Sequence, residues 1–332
     1  MPRLSKEQLL NVLVRGISDS GWSVLYLSGA REHPFRLQVY SGNESYHLRI
    51  YIWNLTHGGG EARPQNEYRI QITGITSFYQ VPGERTLILG WYDDLDVFAG
   101  FDVRRHRGVL GKSPSIQIRR DCLQTAYTSE FAPCDKGNQE IAIAFRPDFL
   151  VEYIRDLEAL HDLGQHSSDL AVIGNLIQHP EINDEDIPVT DYERRTAIIS
   201  VRKKLRDMSF RRRVLTVYNF QCAVCGIQLK LVDAAHIVPV VHENSTDETR
   251  NGLALCALHH RAYDQGLITI WDDYSVRLSE SKVEGLRRIS RDGGIVSFRD
   301  NLRPMIILPP AISDRPHIDY IRLGNQIRGW QQ

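Results

Sequence analysis

The feature that most constrains this chain is a pair of short metal-binding motifs in its second half. Cys222 and Cys225 form a C-x-x-C motif, and Cys256 and His259 form a C-x-x-H motif. Together they supply four soft ligands, the number that a structural zinc ion takes in tetrahedral geometry. Four protein ligands leave no open position for a substrate. The sequence therefore predicts a structural Zn²⁺ that stabilises a loop-rich element with little core of its own.

A second set of polar residues lies between and after these ligands: Asp233, His236, Asn251, His260 and Asp264. Residues 230–238 have the pattern of a strand, which places Asp233 and His236 on opposite faces. The pattern that follows Cys256 is helical, and His260 and Asp264, four residues apart, share a helix face. A strand carboxylate and this His/Asp pair suit a hydrated divalent ion, Mg²⁺ or Mn²⁺. A histidine beside such an ion suits a general base.

Residues 231–237 (LVDAAHI) and 251–266 resemble the HNH, or ββα-metal, endonuclease motif. His236 matches the first His of the motif, Asn251 the middle Asn and His260 the last His. The resemblance implies a ββα-metal domain that hydrolyses phosphodiester bonds in DNA by a one-metal mechanism. It also implies that these three residues are catalytic and that His236 is the base.

One position departs from the motif. Many members carry an acidic or His ligand directly before the base, and this chain has Ala235 there. Asp233 lies on the same strand face as Ala235 and is expected to take that role. The catalytic ion would then be held by Asp233, His260 and Asp264.

The zinc motifs alone allow another interpretation. Two such pairs also occur in a zinc ribbon that binds DNA or protein without cutting it. The additional His, Asn, His and Asp at nuclease spacing favour the endonuclease.

Length, charge and cysteine content limit the class of protein. At 332 residues the chain is long enough for two domains with separate cores. Its net charge of −1 indicates no nucleic-acid partner by itself, so any basic surface must be local. We expect Cys122 and Cys134, outside the zinc set, to be unpaired thiols in a reducing compartment. The chain shows neither a signal-peptide pattern nor the ~18 apolar residues of a membrane span, so we expect a cytoplasmic protein without membrane contact.

Residues 1–160 are predicted to form an α+β domain with a mainly antiparallel, curved sheet. Helical spacing covers residues 5–18, and a second helical pattern covers 147–161. The predicted strands are residues 23–27, 35–40, 46–52, 68–72, 87–91, 97–103, 115–118 and 141–145. Turn residues at 41–44 and 93–96 predict hairpins. We expect this domain to recognise DNA.

Two segments of the domain have the chemistry of a phosphate contact. The loop 57–64 has three successive glycines and Arg63, which would let backbone N–H groups approach a phosphate; a plain flexible loop fits equally well. The second segment is cationic and continues into hydroxyl and amide side chains, which suits DNA backbone and groove contacts. The alternative for it is a solvated basic turn. Its candidate DNA-binding residues are Arg104, Arg105, His106, Arg107, Ser115 and Gln117.

Segments 68–71, 98–108, 114–117 and 145–149 carry a second resemblance. They are similar to the N-terminal region of McrA-like modification-dependent (type IV) endonucleases, specifically the DNA sulfur-binding domain that recognises phosphorothioate linkages. This resemblance implies an apolar surface cavity for the sulfur, flanked by His106 and Arg107. The candidates for the wall of that cavity are Tyr127, Ala132 and Pro133.

The charge of the chain changes sign between its two halves. Residues 156–193 contain ten acidic residues and no Lys or Arg, and we expect 161–193 to be an acidic linker that its own charge keeps from DNA. Residues 194–213 hold nine Lys or Arg and a single acid in a helical pattern. This favours a basic helix that faces a duplex over a merely solvated helix face. The residues expected at the duplex are Arg202, Lys203, Arg211 and Arg212.

Residues 194–332 are expected to form the nuclease domain with a C-terminal extension. Extended segments at 267–271 and 274–278 predict a hairpin. The tail from residue 281, with a strand at 306–308, is expected to wrap this domain.

The sequence thus predicts an HNH endonuclease that acts in host defence by restricting phosphorothioate-modified DNA. Its partner is double-stranded DNA, and a double-strand break would need a homodimer or two sequential nicks. The alternatives are an ordinary type II or a methylcytosine-dependent HNH restriction enzyme, and a non-catalytic zinc-stabilised DNA-binding regulator.

Overall fold

The structure is a computed structural model that describes residues 3–57 and 64–330. The chain separates into two compact units, Met1–Leu205 and Arg206–Gln332. Arg63 and the glycines of the predicted phosphate loop lie outside the described residues. Within the described ranges, none of the helices has the length and apolar character needed to cross a bilayer.

The first unit combines a large sheet with flanking helices. Its helices are α1 (Lys6–Asp19), α2 (Arg120–Ser129), α3 (Leu150–Arg155), α4 (Leu157–Asp162), α5 (Ser167–Gln178) and α6 (Tyr192–Val217), the last of which continues into the second unit. Its strands are β1 (Ser23–Tyr26), β2 (Phe35–Ser41), β3 (Glu44–His57), β4 (Glu67–Gln71), β5 (Glu84–Tyr92), β6 (Val97–Phe101), β7 (Ser115–Arg119), β8 (Phe131–Asp135) and β9 (Ile141–Phe145). Helix α1 begins at a capping box in which Ser5 and Gln8 satisfy each other's backbone N–H groups.

The main sheet has the strand order β1-β2-β3-β5-β6-β9-β8. Its pairs are antiparallel except for β3 with β5. The predicted turns at 41–44 and 93–96 join β2 to β3 and β5 to β6. Large apolar side chains on the sheet, among them Tyr51, Phe101 and Ile88, form the core with α2. These observations confirm the predicted α+β fold with a mainly antiparallel sheet.

Strands β4 and β7 form a two-stranded ribbon, called here the β4–β7 ribbon. β4 pairs with the end of β3 and, over its whole length, with β7. The ribbon lies close over the main sheet, because a Cβ atom at Gly90 of β5 would be 2.8 Å from Ile70 Cγ2 of β4. Ile70 and Ile116 face this contact and are buried, whereas Gln117 is exposed. The ribbon therefore has an apolar inner face and a polar outer face.

Cys122 and Cys134 form a disulfide, and the expectation of two unpaired thiols is wrong. Cys122 lies in the first turn of α2 and Cys134 in β8, two elements that the sequence pattern does not predict. Because α2 packs on β8, the two Cα atoms lie 5.8 Å apart. Pro133 weakens the strand pattern of β8, but it is tolerated because β8 is an edge strand of the sheet.

The acidic segment and the basic helix pair with each other in the first unit. Helix α5 occupies part of the segment predicted as a linker and buries Ile173. Asp169 of α5 accepts a hydrogen bond of 2.8 Å from Arg194 of α6, and Asp184 forms an ion pair with the buried Arg202. Much of the charge on both segments is thus neutralised within the chain. The predicted limits of the linker and of the two domains stay a prediction.

The second unit contains short strands and helices around its own core. Its strands are β10 (Val232–His236), β11 (Gly252–Cys256), β12 (Ile268–Ile270) and β13 (Val276–Leu278). Its further helices are α7 (Ala257–Asp264), α8 (Glu280–Arg288), α9 (Ile295–Asp300) and α10 (Ile318–Ile327). β10 and β11 pair antiparallel, with His236 opposite Gly252, and α7 follows β11 directly. This arrangement is a ββα element, and β12 with β13 forms the predicted second hairpin.

The C-terminal tail contacts the ββα element at several points. Ile307 N donates to Ala223 O at 2.8 Å, and Arg328 donates to the carbonyl oxygens of His236 and Ile237. The predicted strand at 306–308 is absent from the strands of the described chain; the neighbouring Met305 forms an isolated β-bridge with Ser275. The tail therefore contacts this unit, and the expectation that it wraps the unit stays a prediction.

Candidate active site

The metal-binding motifs meet at the base of the ββα element. Cys222 and Cys225 lie in a tight turn, in which Gly226 N donates to Cys222 O at 2.8 Å and Gly226 adopts a φ of +80°. Cys256 ends β11 and caps α7, and His259 lies in the first turn of that helix. The hairpin and the helix therefore bring the two pairs together.

The four side chains have the geometry of a tetrahedral site. Their ligand atoms all lie within 4.8 Å of one another. His259 Nδ1 lies 3.6 Å from Cys222 Sγ and 3.3 Å from Cys256 Sγ, and the Cys225 and Cys256 sulfurs are 4.0 Å apart. Ligand bonds of about 2.3 Å in a tetrahedron put sulfur atoms about 3.8 Å apart, so these residues fit Zn²⁺.

The thiol of Cys222 is already favoured in its ionised form. Burial opposes ionisation, but hydrogen bonds with His259 and nearby backbone groups outweigh it and lower the pKa of Cys222 to about 6. A thiolate is the form that binds a metal. His259 is 1% exposed, and its Nε2 has no hydrogen-bond partner among the described residues. Burial, together with the neighbouring Cys222 charge, raises the pKa of Cys225 to about 12 and also raises the pKa of Cys256, so Cys222 is the thiol most readily ionised for a metal.

The candidate base His236 is held from two sides. Its imidazole stacks on the Phe210 ring with centroids 3.7 Å apart and planes at 12°. Its Nε2 lies 3.2 Å from Asp247 Oδ1, and Asp247 Oδ2 accepts a hydrogen bond of 2.7 Å from Arg206 Nε. The hydrogen bond with His236, aided by Arg206, lowers the pKa of Asp247 to about 2 against the opposing effect of burial. His236 therefore faces an ionised carboxylate at neutral pH.

Asn251 fixes the loop that follows the candidate base. It is fully buried; its Oδ1 accepts from Val238 N at 2.8 Å and its Nδ2 donates to Thr246 O at 2.7 Å. These bonds join the chain just after His236 to the loop that carries Asp247. Asn251 therefore contacts backbone groups on both sides of this loop, and its catalytic role stays a prediction.

The three residues predicted to hold the catalytic ion line one open cavity of about 480 Å³. His260 Nε2 lies 3.6 Å from Asp264 Oδ2, whereas Asp233 is bound to Arg211 Nε at 2.7 Å. Among the described residues, only the Cys₃His set forms a tight metal-binding cluster, so Asp233 is not gathered with the other two. His236 is not among the described residues that line the cavity. The roles of these residues stay predictions.

Several cations predicted to bind DNA make internal contacts instead. Arg104 forms ion pairs of 2.9 Å with Asp102 and 2.8 Å with Asp162, and Arg105 donates to Gln139 O. Arg202 is 3% exposed and paired, so it cannot reach a duplex, which corrects the expectation for this residue. The physical reason is that the fold brings acceptors such as Asp162 and Asp184 next to these cations, in addition to the nearby Asp102.

The remaining candidates differ in their surroundings. His106 is bound to Glu140 at 3.2 Å, and Arg211 to Asp233, which limits their availability to phosphate. Lys203 is 62% exposed, with Asp184 3.9 Å away, and Arg212 is also exposed. Arg107 and Gln117 are exposed, Ser115 is half-buried, and the side chains of all three have no hydrogen-bond or ion-pair partner within the described ranges.

The predicted wall of the sulfur cavity is only partly assembled. Ala132 and Pro133 line a cavity of about 370 Å³ together with Leu170 and Ile177. Tyr127 does not line it in the described chain; its ring is 52% exposed and lies under the Arg146 guanidinium.

Sequence reasoning missed the residues that surround His236. Asp247, Arg206 and Phe210 lie outside the recognised motif, and Arg206 and Phe210 belong to α6, far from His236 in sequence. The apolar spacing of α6 marks Phe210 as buried, but it does not indicate which residue the ring contacts. No sequence signal pairs Asp247 with His236.

Comparison with known proteins shows which families the two units resemble. Residues 222–271 match the family described as HNH endonuclease, and residues 46–154 match the family described as Methylase-associated X1. No curated protein matches the chain. A solved structure described as "Modification dependent TagI restriction endonuclease" is similar at 12% identity, over 83% of this chain and 80% of that chain, with a TM-score of 0.29. A likeness of that size supports no argument about fold or substrate.

The ββα element, its Cys₃His group and the family match together define a nuclease domain. The chain is a DNA endonuclease whose second unit contains an HNH endonuclease domain.

Proposed function

We propose that the chain hydrolyses phosphodiester bonds of modified double-stranded DNA, with His236 as the general base. The observation that carries this proposal is the combination of the HNH match with a histidine held between an aromatic ring and a carboxylate. An imidazole in that position keeps one orientation, which general-base catalysis requires.

Each residue around His236 has a distinct role in the proposed reaction. Asp247 accepts a hydrogen bond from the Nε2–H group of His236. The other ring nitrogen, Nδ1, is then free to take a proton from the attacking water. Arg206 holds Asp247, and Phe210 fixes the plane of the ring. Asn251 keeps the loop in place. Asp233, His260 and Asp264 would hold Mg²⁺ or Mn²⁺, which polarises the phosphate and stabilises the leaving oxygen when bound.

We propose that the modification is a phosphorothioate linkage and that the first unit recognises it. The cavity at Ala132 and Pro133 is also lined by Arg119, which is ion-paired at 3.2 Å with Asp121, another lining residue. A poorly hydrated sulfur favours an apolar surface, and a cation beside it suits the remaining phosphate charge. Arg107 is exposed, has no side-chain partner within the described ranges and is not among the described residues that line this cavity, so it is a candidate phosphate contact outside it.

Digestion of three matched duplexes tests both parts of this proposal. The duplexes share one sequence and carry phosphorothioate linkages, C5-methylcytosine or no modification, and each is incubated with Mg²⁺, Mn²⁺ or EDTA. We expect cleavage of the phosphorothioate duplex that needs the divalent ion. Cleavage of the methylated or plain duplex alone would favour another restriction specificity. Binding without cleavage in every condition would favour a non-catalytic regulator.

One active site cuts one strand, so we also propose that double-strand cleavage uses two copies of the chain or two successive nicks. The nicked intermediate distinguishes these routes. It accumulates if one copy acts twice, and it stays scarce if two copies act together.

A further inference from the structure

We propose that the outer face of the β4–β7 ribbon reads base edges in a groove of the DNA, with Arg69 and Gln117 as the specificity-determining pair. This inference rests on the proposed function, because it assigns the surface by which the first unit selects the DNA that the second unit cuts. It adds base recognition to the recognition of a backbone modification.

The register of the ribbon places its polar side chains on one face. Arg69 of β4 lies opposite Gln117 of β7, and Gln71 lies opposite Ser115. Ile70 and Ile116, which are also opposite each other, are buried on the other face. Because side chains alternate along a strand, the ribbon has one apolar face against the sheet and one polar face towards solvent.

On this face Gln117 is exposed and Arg69 and Ser115 are half-buried, whereas Arg119, which lies opposite Glu67, is ion-paired with Asp121. The side chains of Arg69, Gln117 and Ser115 make no hydrogen bond or ion pair within the part of the chain that the structure describes. Gln71 uses its amide nitrogen to donate to Pro114 O at 3.0 Å, which leaves its amide oxygen as an acceptor. Arg104 differs, because two carboxylates already satisfy its guanidinium.

The side chains on this face are those that distinguish bases. Arg forms paired hydrogen bonds with guanine, and Gln forms them with adenine, in the major groove. That groove is about 12 Å wide and admits a two-stranded ribbon. At Arg69 the β4 strand is also paired with Thr56 of β3, so β7 is the free edge that would enter the groove. Residues two apart on a strand are about 6.6 Å apart, which is close to two base-pair steps of about 3.4 Å. Side chains two residues apart on one strand therefore match base pairs that are two steps apart.

The ends of β7 supply cations suited to the DNA backbone. Lys112 precedes the strand and Arg120 follows it, and both are exposed without a side-chain partner in the described ranges. β7 pairs only with β4 among the described strands, and a cavity of about 740 Å³ lined by Gln117 and Arg119 lies at the ribbon. Phosphate contacts position a protein on DNA, and base contacts specify the sequence. β7 has candidates for both.

Selection from duplex pools tests the proposal directly. Three pools with a randomised centre are made with plain nucleotides, with C5-methylcytosine and with phosphorothioate linkages. The full chain is mixed with each pool without added Mg²⁺ or Mn²⁺, and the bound DNA is sequenced. We expect bound DNA to show fixed bases at neighbouring positions in at least one pool.

Variants separate base reading from charge. Arg69→Lys keeps the charge but loses the planar guanidinium, so we expect discrimination at one position to fall about 10- to 100-fold while total affinity changes little. Gln117→Ala should relax a neighbouring position. Lys112→Gln should weaken binding to every sequence equally. Arg31→Ala is the matched control, because Arg31 is exposed, has no side-chain partner within the described residues and lies outside the ribbon.

Three results would overturn the proposal: bound DNA without any fixed base, selection that follows the backbone sulfur alone, or unchanged base selection in both Arg69→Lys and Gln117→Ala. Circular dichroism of each variant confirms that the fold is kept. The proposed nuclease activity is tested separately. If that activity is wrong, no DNA is cleaved in Mg²⁺ or Mn²⁺, but the selection of bases in bound DNA is unaffected.

Discussion

His236 illustrates how a short motif depends on residues far from it in sequence. Phe210 stacks on one face of its ring, and Asp247 binds its Nε2 atom. A free histidine side chain changes rotamer readily, whereas this one is restrained by packing and by a charge-assisted hydrogen bond. The orientation of a base matters as much as its identity, because proton transfer requires close contact with the water.

We expect His236→Ala to abolish cleavage, since loss of a general base typically lowers the rate about 10²- to 10⁴-fold. Nicking of the cleavable duplex in Mg²⁺ or Mn²⁺ measures the rate, and zinc content and DNA affinity should remain as in the parent chain. His242→Ala is the matched control, because the His242 Nδ1 only accepts from a neighbouring backbone N–H. Unimpaired cutting by His236→Ala would reject its assignment as the base.

The lowered pKa of Asp247 predicts a specific dependence of the unfolding free energy on pH. Its pKa is lowered to about 2 in the folded chain by His236 and Arg206, against about 3.9 for an unfolded Asp. A depressed pKa means that the stabilisation is complete above pH ~4 and is lost as the pH falls towards 2. The difference in unfolding free energy between the parent chain and Asp247→Asn should shrink over that range.

Urea unfolding of both chains, repeated at intervals of about one pH unit from pH ~6 to pH ~2, measures this difference. Acid also releases zinc from thiolates, but it does so in both chains and cancels in the difference. A difference that stays constant down to pH ~2 would contradict the assigned ionisation of Asp247.

At the scale of elements, each unit contains one cross-link or candidate cross-link. The first unit has the Cys122–Cys134 disulfide, and the second has the Cys₃His group that could bind zinc. The Cys₃His group joins the turn at Cys222 to the start of α7, and the disulfide joins α2 to β8. Cys122 and Cys134 belong to the hydrophobic core of the first unit, and Cys222 and Cys256 belong to that of the second. Their removal should therefore affect different units.

We expect Cys222→Ser to lose bound zinc and to lower the thermal stability of the HNH unit, because three remaining ligands hold the ion poorly. Zinc per chain and the unfolding temperature are the measurements. The chain with Cys122→Ser and Cys134→Ser serves as the control and should keep its zinc. Full zinc content in Cys222→Ser would exclude Cys222 as a ligand.

The same double variant tests the disulfide. It opens a loop with a sequence separation of 12, and closing a loop of that size contributes about 3 kcal/mol to the unfolding free energy in the chain-entropy account. Urea unfolding should show this loss relative to the parent chain. Free-thiol titration of the unfolded parent chain should find two fewer reactive thiols before reduction than after it. Equal titres would show that Cys122 and Cys134 are not bonded.

At the scale of the whole molecule, charge is arranged locally. The net charge is −1, and many cations of α6 pair with carboxylates of the same unit. Attraction to DNA must then come from the few cations that remain unpaired. Such binding weakens with salt according to the number of phosphate contacts.

We expect Arg107→Gln to reduce the salt dependence of DNA binding by about 0.9 in the slope of log affinity against log salt, the amount for one phosphate contact. Affinity for one duplex over a series of salt concentrations gives this slope. Arg31→Gln removes an equally exposed cation and should leave the slope unchanged. An unchanged slope in Arg107→Gln would remove that residue from the DNA interface.

The sequence alone determined the α+β class, most strands of the first unit and the Cys₃His group that could bind zinc, and the HNH resemblance implied the ββα element. These features depend on local periodicity and on close spacing, which are visible along the chain. Pro133 shows the limit of that reasoning, since a residue that argues against a strand is acceptable at the edge of a sheet.

Only the tertiary structure decided which charges are available and which residues meet. It paired Cys122 with Cys134, withdrew Arg202 into a salt bridge with Asp184, and placed Asp247 beside His236. The physical reason is common to these cases. A disulfide, an ion pair and an oriented imidazole each require two side chains within a few ångströms, and the distance between residues on different elements is determined by packing rather than by local sequence pattern.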